Sequence, residues 1–297
     1  MFGGFLSLVL AVSAQNFTTV HSFDRTDGEQ PYGTLVQATN GDLYGTTSLG
    51  GTMDGGTVFK ITTSGTLTTL YNFCSQSNCT DGEGPEGALV QANGNFYGTT
   101  LGGGASTFGT VFRITPGGTL TTLHSFDGVD GVAPRTGLIQ ATDGNLYGAT
   151  AQGGANTYGT VFKITPSGTL TTLHNFDDTD GTDPYSGLMQ ATSGTLYGTT
   201  YEGGADNGGT IFSLSVGLGP FVEPQPASGR VGAAIKILGT NLTGATSVTF
   251  NGTAATFTVV SRSEITTTVP TGATTGKIKV TTPARTLTSN VSFQVRP

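Results

Sequence analysis

The sequence predicts an all-β protein: a four-bladed β-propeller closed by its own N-terminal strand, followed by a small Ig-like β-sandwich. Three observations carry this expectation. A unit of about fifty residues recurs four times, with its Tyr-Gly step at Tyr44, Tyr97, Tyr147 and Tyr197; a period of that length with several short strands per unit is the mark of propeller blades. The last unit lacks its final strand, and a match to that strand stands before the first unit. The composition has 48 Gly, no Trp and only 10% charged residues in 297, without the long helix-forming runs of a bundle or of most α/β enzymes.

The chain opens on an apolar run, Phe2 to Ala14, with Val12 and Ala14 at the −3 and −1 positions of a cleavage site. Residues 1–14 therefore read as a secretory signal peptide, although no Lys or Arg precedes the apolar core. The alternative is a buried first strand, which Gly3-Gly4 suits less well. No later run approaches the roughly 20 apolar residues that span a bilayer. Cys74 and Cys79 are the only cysteines; in an exported chain they read as a local disulfide closing a surface loop. A secreted or cell-surface protein is expected.

Each unit reads as four strands, clearest in the third copy. Strand a is Gly137–Ala141, followed by an Asp143-Gly144 hairpin turn. Strand b is Asn145–Thr150, strand c is Gly159–Ile164 after a Gly-rich loop, and strand d is Thr169–Phe176 after a Pro-Ser-Gly turn. Thr, Val, Phe, Tyr and Ile dominate these runs, as a half-buried pleated surface prefers. Strands a, b and c occur four times, but strand d follows c only three times. The match to strand d at the other end is Phe17–Phe23, which parallels Leu120–Phe126. The expectation is a ring over 15–216 in which this segment completes the last blade, leaving no unpaired edge.

With strand a innermost, the a–b and c–d turns share one face and the longer b–c and d–a loops share the other. Residues 1–216 carry 17 acidic and 5 basic side chains, whereas 217–297 carry 2 and 7. Most of the acids fall in the d–a loops, so the long-loop face should be strongly acidic. That face, and a net charge of −7, exclude nucleic acid as a partner, because phosphate binding needs a basic surface. Function tends to sit on such loops.

A Gly/Pro-rich stretch, 217–226, reads as a linker. Residues 227–297 then alternate as short strands, among them Ile235–Leu238, Val248–Phe250, Ile265–Val269 and Lys277–Val280. This spacing argues for an Ig-like sandwich, without the Cys pair and Trp of antibody domains.

The repeat resembles the GloVer tandem-repeat family of exported bacterial proteins, through Asp143–Thr150, the Gly153-Gly154 loop and Gly159–Ile164. That resemblance implies an exported repeat protein and no particular activity. The second unit is similar to IPT/TIG domains, through Gly229 and Gly232, Ile237–Leu242, Val248–Gly252, Val269-Pro270 and Gly276–Val280. Such domains are mostly spacer or interaction modules of extracellular proteins.

The candidate residues lie on the long loops. Asp24 and Asp27, Asp127 and Asp130, and Asp177 and Asp180 recur in an Asp-x-x-Asp-Gly-x-x-Pro pattern. Two carboxylates with loop carbonyls could hold Ca²⁺, which takes six to eight oxygens; alternatively Asp caps the turn, Gly supplies positive φ and Pro ends it. No other cofactor is implied. His21, His124 and His174 share one position of strand d in different copies, too far apart to bind one ion, and read as packing residues. Tyr32, Phe108, Tyr158, Tyr185 and Tyr201 could stack on pyranose faces. No nucleophile signature stands out, and Glu202, acidic alone among its loop equivalents, is the best single catalytic candidate. The reading from sequence is therefore a monomeric, non-catalytic binding protein for an extracellular glycan or surface protein. A glycoside hydrolase or lyase, and a structural matrix component, are the alternatives.

Overall fold

β-branched and aromatic residues at alternate positions pair into six small antiparallel-rich sheets in the computed structural model, which describes residues 16–38 and 40–297. The expected signal peptide lies outside the described residues. The first copy of the repeat forms β1 (Val36–Gln37), β2 (Leu43–Thr47), β3 (Thr57–Ile61) and β4 (Leu67–Asn72). The second forms β5 (Val90–Ala92), β6 (Asn95–Thr100), β7 (Thr110–Ile114) and β8 (Leu120–Ser125). The third forms β9 (Ile139–Gln140), β10 (Leu146–Thr150), β11 (Thr160–Ile164) and β12 (Leu170–Asn175). In each, neighbours in sequence are neighbours in the sheet. A register shift recurs at one place: between Val58 and Phe59, Val111 and Phe112, and Val161 and Phe162.

The core lies between these sheets rather than inside each one. Ala38, Tyr44, Val58 and Phe73 of the first copy pack on Leu89, Phe96, Phe112 and Ile114 of the second. The same eight positions meet between the second and third copies, and again between the third and fourth, where Tyr147, Val161 and Phe176 pack on Leu188, Leu196 and Phe212. The strand-b tyrosines Tyr44, Tyr97 and Tyr147 are all within 2% of complete burial. Glycine follows each of them because a Cβ on Gly98 would stand 2.5 Å from the Phe112 ring.

The fourth copy has three strands, β13 (Met189–Gln190), β14 (Leu196–Thr199) and β15 (Ile211–Leu214). Here the expectation of a ring closed by the N-terminal strand is corrected. Residues 16–23 form no strand, and among the described residues nothing pairs with the outer edge of β15. The segment instead lies on the first copy, with the Phe23 ring 5.2 Å from that of Phe59, as Phe73 meets Phe112. Sequence similarity to strand d identified the position that the segment occupies relative to the following sheet. It could not determine whether the preceding sheet would be there.

The remaining chain forms two sheets. One orders β16 (Glu223–Gln225), β18 (Ala234–Leu238), β22 (Glu264–Thr268) and β21 (Phe257–Ser261). The other orders β17 (Ser228–Arg230), β24 (Thr286–Arg296), β23 (Gly276–Thr281), β19 (Ser247–Phe250) and β20 (Thr253–Ala254). Ile235, Ile237 and Ile265 of the first sheet share one core with Val248, Phe250, Ile278 and Phe293 of the second. β16 falls within 217–226, and Val222 is buried in that core. Val216 and Leu218 pack against the fourth copy, and the Phe221 amide donates to the Thr192 carbonyl. Grooves lined by residues of both units follow the a–b turns, at Gly41 and Gln91 and at Thr142. The second unit thus sits on the short-turn side, away from the acidic loops.

Candidate active site on the long-loop face

The d–a loops hang on pairs of buried threonines. Thr47 and Thr57 share a hydrogen bond of 2.8 Å, as do Thr100 and Thr110, while Thr150–Thr160 and Thr200–Thr210 meet at 2.9 Å. The second member reaches up to the loop: Thr160 Oγ1 donates to the Asp130 carbonyl at 3.1 Å and Thr210 Oγ1 to that of Asp180 at 2.8 Å. The next residue must be glycine. Gly131 has φ +141° and its missing Cβ leaves room for Thr150.

Above this anchor each loop is closed by its own carboxylates. Asp27, Asp130 and Asp180 each take His21, His124 and His174 Nε2 at 2.7, 2.6 and 2.7 Å on one oxygen. Their other oxygen accepts the amides of Asp24, Asp127 and Asp177 at 3.0–3.1 Å. Asp24, Asp127 and Asp177 in turn accept amides two and three residues ahead. These bonds hold all three carboxyls below their ordinary pKa: the Thr26 hydroxyl leads for Asp24, the Asp130 amide for Asp127 and the Thr179 hydroxyl for Asp177. The histidines stand edge-on to Phe23, Phe126 and Phe176, so they pack as expected and also tie the loop down.

The second loop reaches the same end with different residues. Tyr71 replaces histidine and donates to Asp81 at 2.8 Å, and Asp81 also accepts the Ser75 and Gln76 amides. Cys74 stands where the first Asp would be and is bonded to Cys79, closing the loop covalently. A disulfide of this kind fits an oxidising compartment. Among the described residues no helix is long and apolar enough to cross a membrane.

The six aspartates considered for calcium therefore stand as three pairs: both oxygens of Asp27, Asp130 and Asp180 accept protein hydrogens, and so does one oxygen of Asp24, Asp127 and Asp177. Among the described residues, three potential ligands converge only at Cys74, Cys79 and Glu83, and there the two sulfurs are consumed by the disulfide.

Of the five exposed rings singled out, only Tyr185 and Tyr201 come together, 5.5 Å apart and tilted by 38°. Tyr32 bonds Gln30, and Phe108 lies over Gly128; neither they nor Tyr158 has an aromatic partner among the described residues. The residues after the loop prolines, Tyr32, Glu86, Arg135 and Tyr185, occupy equivalent positions. Arg135 bridges two of them, 3.2 Å from Glu86 Oε2 and 5.5 Å from the Tyr185 ring centre. Burial pushes the Tyr185 hydroxyl above its ordinary pKa; Asp183 and Glu202 add to this and Arg135 opposes it. Glu202 is held at the loop edge by backbone pairing with Thr182. Asp183, Tyr201 and Glu202 have no counterpart in the other copies, where Gln30, Gly84 and Ala133, then Ser48, Leu101 and Ala151, then Leu49, Gly102 and Gln152 stand. Arg135 escaped the sequence reading; comparing the residues after each loop Pro is the signal that would have found it.

No protein of curated function matches the chain. Among solved structures, a gluconolactonase from Xanthomonas campestris is similar over 89% of this chain and 87% of its own, at 15% identity and TM-score 0.43. Proteins from Bacteroides fragilis and Bacteroides uniformis, both described as candidate 6-phosphogluconolactonases, are similar over 89% of this chain. They are covered over 84% and 85%, at 17% and 14% identity and TM-scores of 0.36 and 0.34. All three are named for enzymes, and the expectation of a non-catalytic binding protein is corrected on that finding. The likeness is too distant to transfer a residue or a substrate. The sequence itself matches the Gloeobacter/Verrucomicrobia repeat over residues 8–93 and 74–259. The chain belongs to the Gloeobacter/Verrucomicrobia repeat family.

Proposed function

We propose that the protein is a secreted hydrolase of carbohydrate substrates, working at the cluster of Arg135, Asp183, Tyr185, Tyr201 and Glu202. One observation carries this reading: the cluster breaks the repeat. Residues that keep a loop in shape recur in copy after copy, whereas Asp183, Tyr201 and Glu202 appear once and surround one tyrosine. A scaffold has no use for such an exception, and an acid–base site requires it.

The roles follow from the chemistry of the groups. The paired rings of Tyr185 and Tyr201 present apolar faces to a pyranose. Glu202 is exposed and lies in no ion pair among the described residues, so it is free to draw a proton from water. Arg135, with its charge directed at the cluster, stabilises negative charge developing on the substrate oxygen. Tyr185 stays protonated and donates a hydrogen bond to the leaving oxygen.

The finer architecture is part of the same proposal. The repeats over 15–216 are read as four propeller blades, supported by three four-stranded sheets and one three-stranded sheet that pack face to face through the same positions. Residues 227–297 are read as an IPT/TIG-type Ig-like module behind the linker 217–226, supported by two sheets around one core. Residues 1–14 are read as the export signal.

The test is turnover. The purified protein would be assayed against polysaccharides, oligosaccharides and sugar lactones, beside the variants E202Q and Y185F. Release of product that falls at least about 100-fold in E202Q, with unchanged melting, is expected. No turnover on any of the three classes, or full activity in E202Q, would overturn the proposal.

A further inference from the structure

The three internal interfaces are built from the same two half-sets of residues. Each sheet offers an alanine, a tyrosine, a valine and the phenylalanine that ends strand d; the next sheet answers with leucine, an apolar residue, phenylalanine and a second aliphatic. A fourth pair of half-sets exists and is not joined. The fourth copy presents Tyr197, 38% exposed, and Ile211, 82% exposed, where Tyr147 and Val161 are buried. The first copy presents Leu35, 50% exposed, where Leu89, Leu138 and Leu188 are buried. Its answering face already carries Phe23 on Phe59.

The backbone shows the same unfinished junction. The carbonyls of Leu70 and Leu123 lie against Gly118 and Gly168 of the following turn, and that of Val20 lies against Gly65 in the same way. Residues 17–23 are therefore already placed on the first copy as the last strand of a preceding sheet would be, and they pair with no strand among the described residues. At the other end β15 has one edge that no described residue pairs with. Pro85, Pro134 and Pro184 close over Gly56, Gly109 and Gly159, whereas the nearest atoms to Gly209 are the backbone of Thr200 and Tyr201.

We propose that these ends are two halves of one interface and that a second copy of the chain completes it head to tail. The three-stranded sheet of one copy would dock on the first sheet of another and take its residues 17–23 as a fourth strand. The internal registers, such as Val58 with Tyr71 and Phe59 with Thr69, set the pairing: Ile211 with His21, Phe212 with Thr19, Ser213 with Thr18 and Leu214 with Phe17. The occupant is a second copy rather than the chain's own N-terminus because within one chain the two ends stand apart, Phe17 being 94% and Ile211 82% exposed, while Phe23 is already seated on Phe59. Two copies can close a ring of eight sheets, and further copies can extend it. The contact replaces the monomer expected from sequence, and it stands independently of the hydrolase reading. It would also bring Tyr32 of the second copy beside Tyr185, as Arg135 stands beside it now.

The experiment uses the full chain. T18C and S213C variants are mixed under mild oxidation, the T18C/S213C double variant is oxidised alone, and the unmodified chain is examined by sedimentation over a range of concentrations. Expected are a covalent two-chain product from the mixture, multi-chain products from the double variant, and a mass that rises with concentration. I211K, altering a side chain that is already exposed, should remain monomeric with unchanged melting. A double variant that cross-links only within one chain would overturn the proposal in favour of self-closure. A mixture that does not cross-link, or a monomer at every concentration, would overturn it outright.

Discussion

Nε2 of His124 lies 2.6 Å from Oδ2 of Asp130, and the other oxygen of that carboxylate accepts the Asp127 amide. One side chain thereby fastens the end of β8 to the loop that follows it. The first and fourth loops repeat the bond with His21 and Asp27 and with His174 and Asp180. Removing Asp130 leaves a half-buried imidazole and an amide without their acceptor. D130A should cost roughly 2 kcal/mol, in the range of charge-assisted hydrogen bonds, and D130N, which keeps an acceptor for the Asp127 amide, about half of that. Urea unfolding of the three proteins measures it; equal midpoints would show that the pair contributes nothing.

Gly131 and Gly144 both have positive φ, at +141° and +81°, but only Gly131 faces a neighbour. A Cβ at Gly144 meets nothing within 4 Å, so G144A carries only backbone strain, about 1 kcal/mol. A Cβ at Gly131 would overlap the side chain of Thr150, which cannot turn away without giving up Thr160. G131A should therefore cost about 3 kcal/mol or more. Thermal melts of the two variants should rank in that order, and the reverse order would contradict the threonine anchor.

The same loops set the response to acid. Asp24, Asp127 and Asp177 have pKa values held below the ordinary 3.8 by hydrogen bonds that exist only in the folded loop. A depressed carboxyl contributes stability that is present above its unfolded value and lost as pH falls through the folded one. Stability should thus hold down to about pH 4 and decline below it. D127N keeps the turn but has no proton to gain, so its melting temperature should fall less steeply than that of the unmodified protein between about pH 4 and pH 2. Parallel slopes would remove Asp127 from the account.

How much of this was legible in advance depends on how local each feature is. The fifty-residue period placed β2, β6, β10 and β14 because an apolar residue followed by Tyr-Gly and Thr or Ala encodes strand, core and close packing within a few residues. The Asp-x-x-Asp-Gly loops were legible as turns for the same reason, and the Cys74–Cys79 bond followed from two lone, closely spaced cysteines in a chain read as exported. Whether the ends of the array meet was not legible. Phe17–Phe23 fits the edge of β15 by sequence whether or not the chain curls far enough to bring them together. Val222 was missed because Gly and Pro around it signal a linker, while its side chain fills the second core. Arg135 was missed because its partners, Glu86 and Tyr185, lie about fifty residues away on either side.

The second loop tests whether a covalent link substitutes for the missing aspartate. Cys74 occupies the position of Asp24, Asp127 and Asp177, and without a carboxylate there the loop amides have no local acceptor. Asp81 takes over by accepting the Ser75 and Gln76 amides, the Ser75 hydroxyl and the Tyr71 hydroxyl. That arrangement requires residues 75 and 76 to stay beside residue 81, which the Cys74–Cys79 bond enforces. Opening a closed loop this short releases chain entropy worth about 2 kcal/mol. C74S/C79S should therefore melt lower than the unmodified protein, and reduction of the latter should reproduce the loss. C74D/C79S restores the carboxylate that the other loops use and should recover part of the stability without any disulfide. Equal melting of C74S/C79S and C74D/C79S would mean that the two devices are not interchangeable.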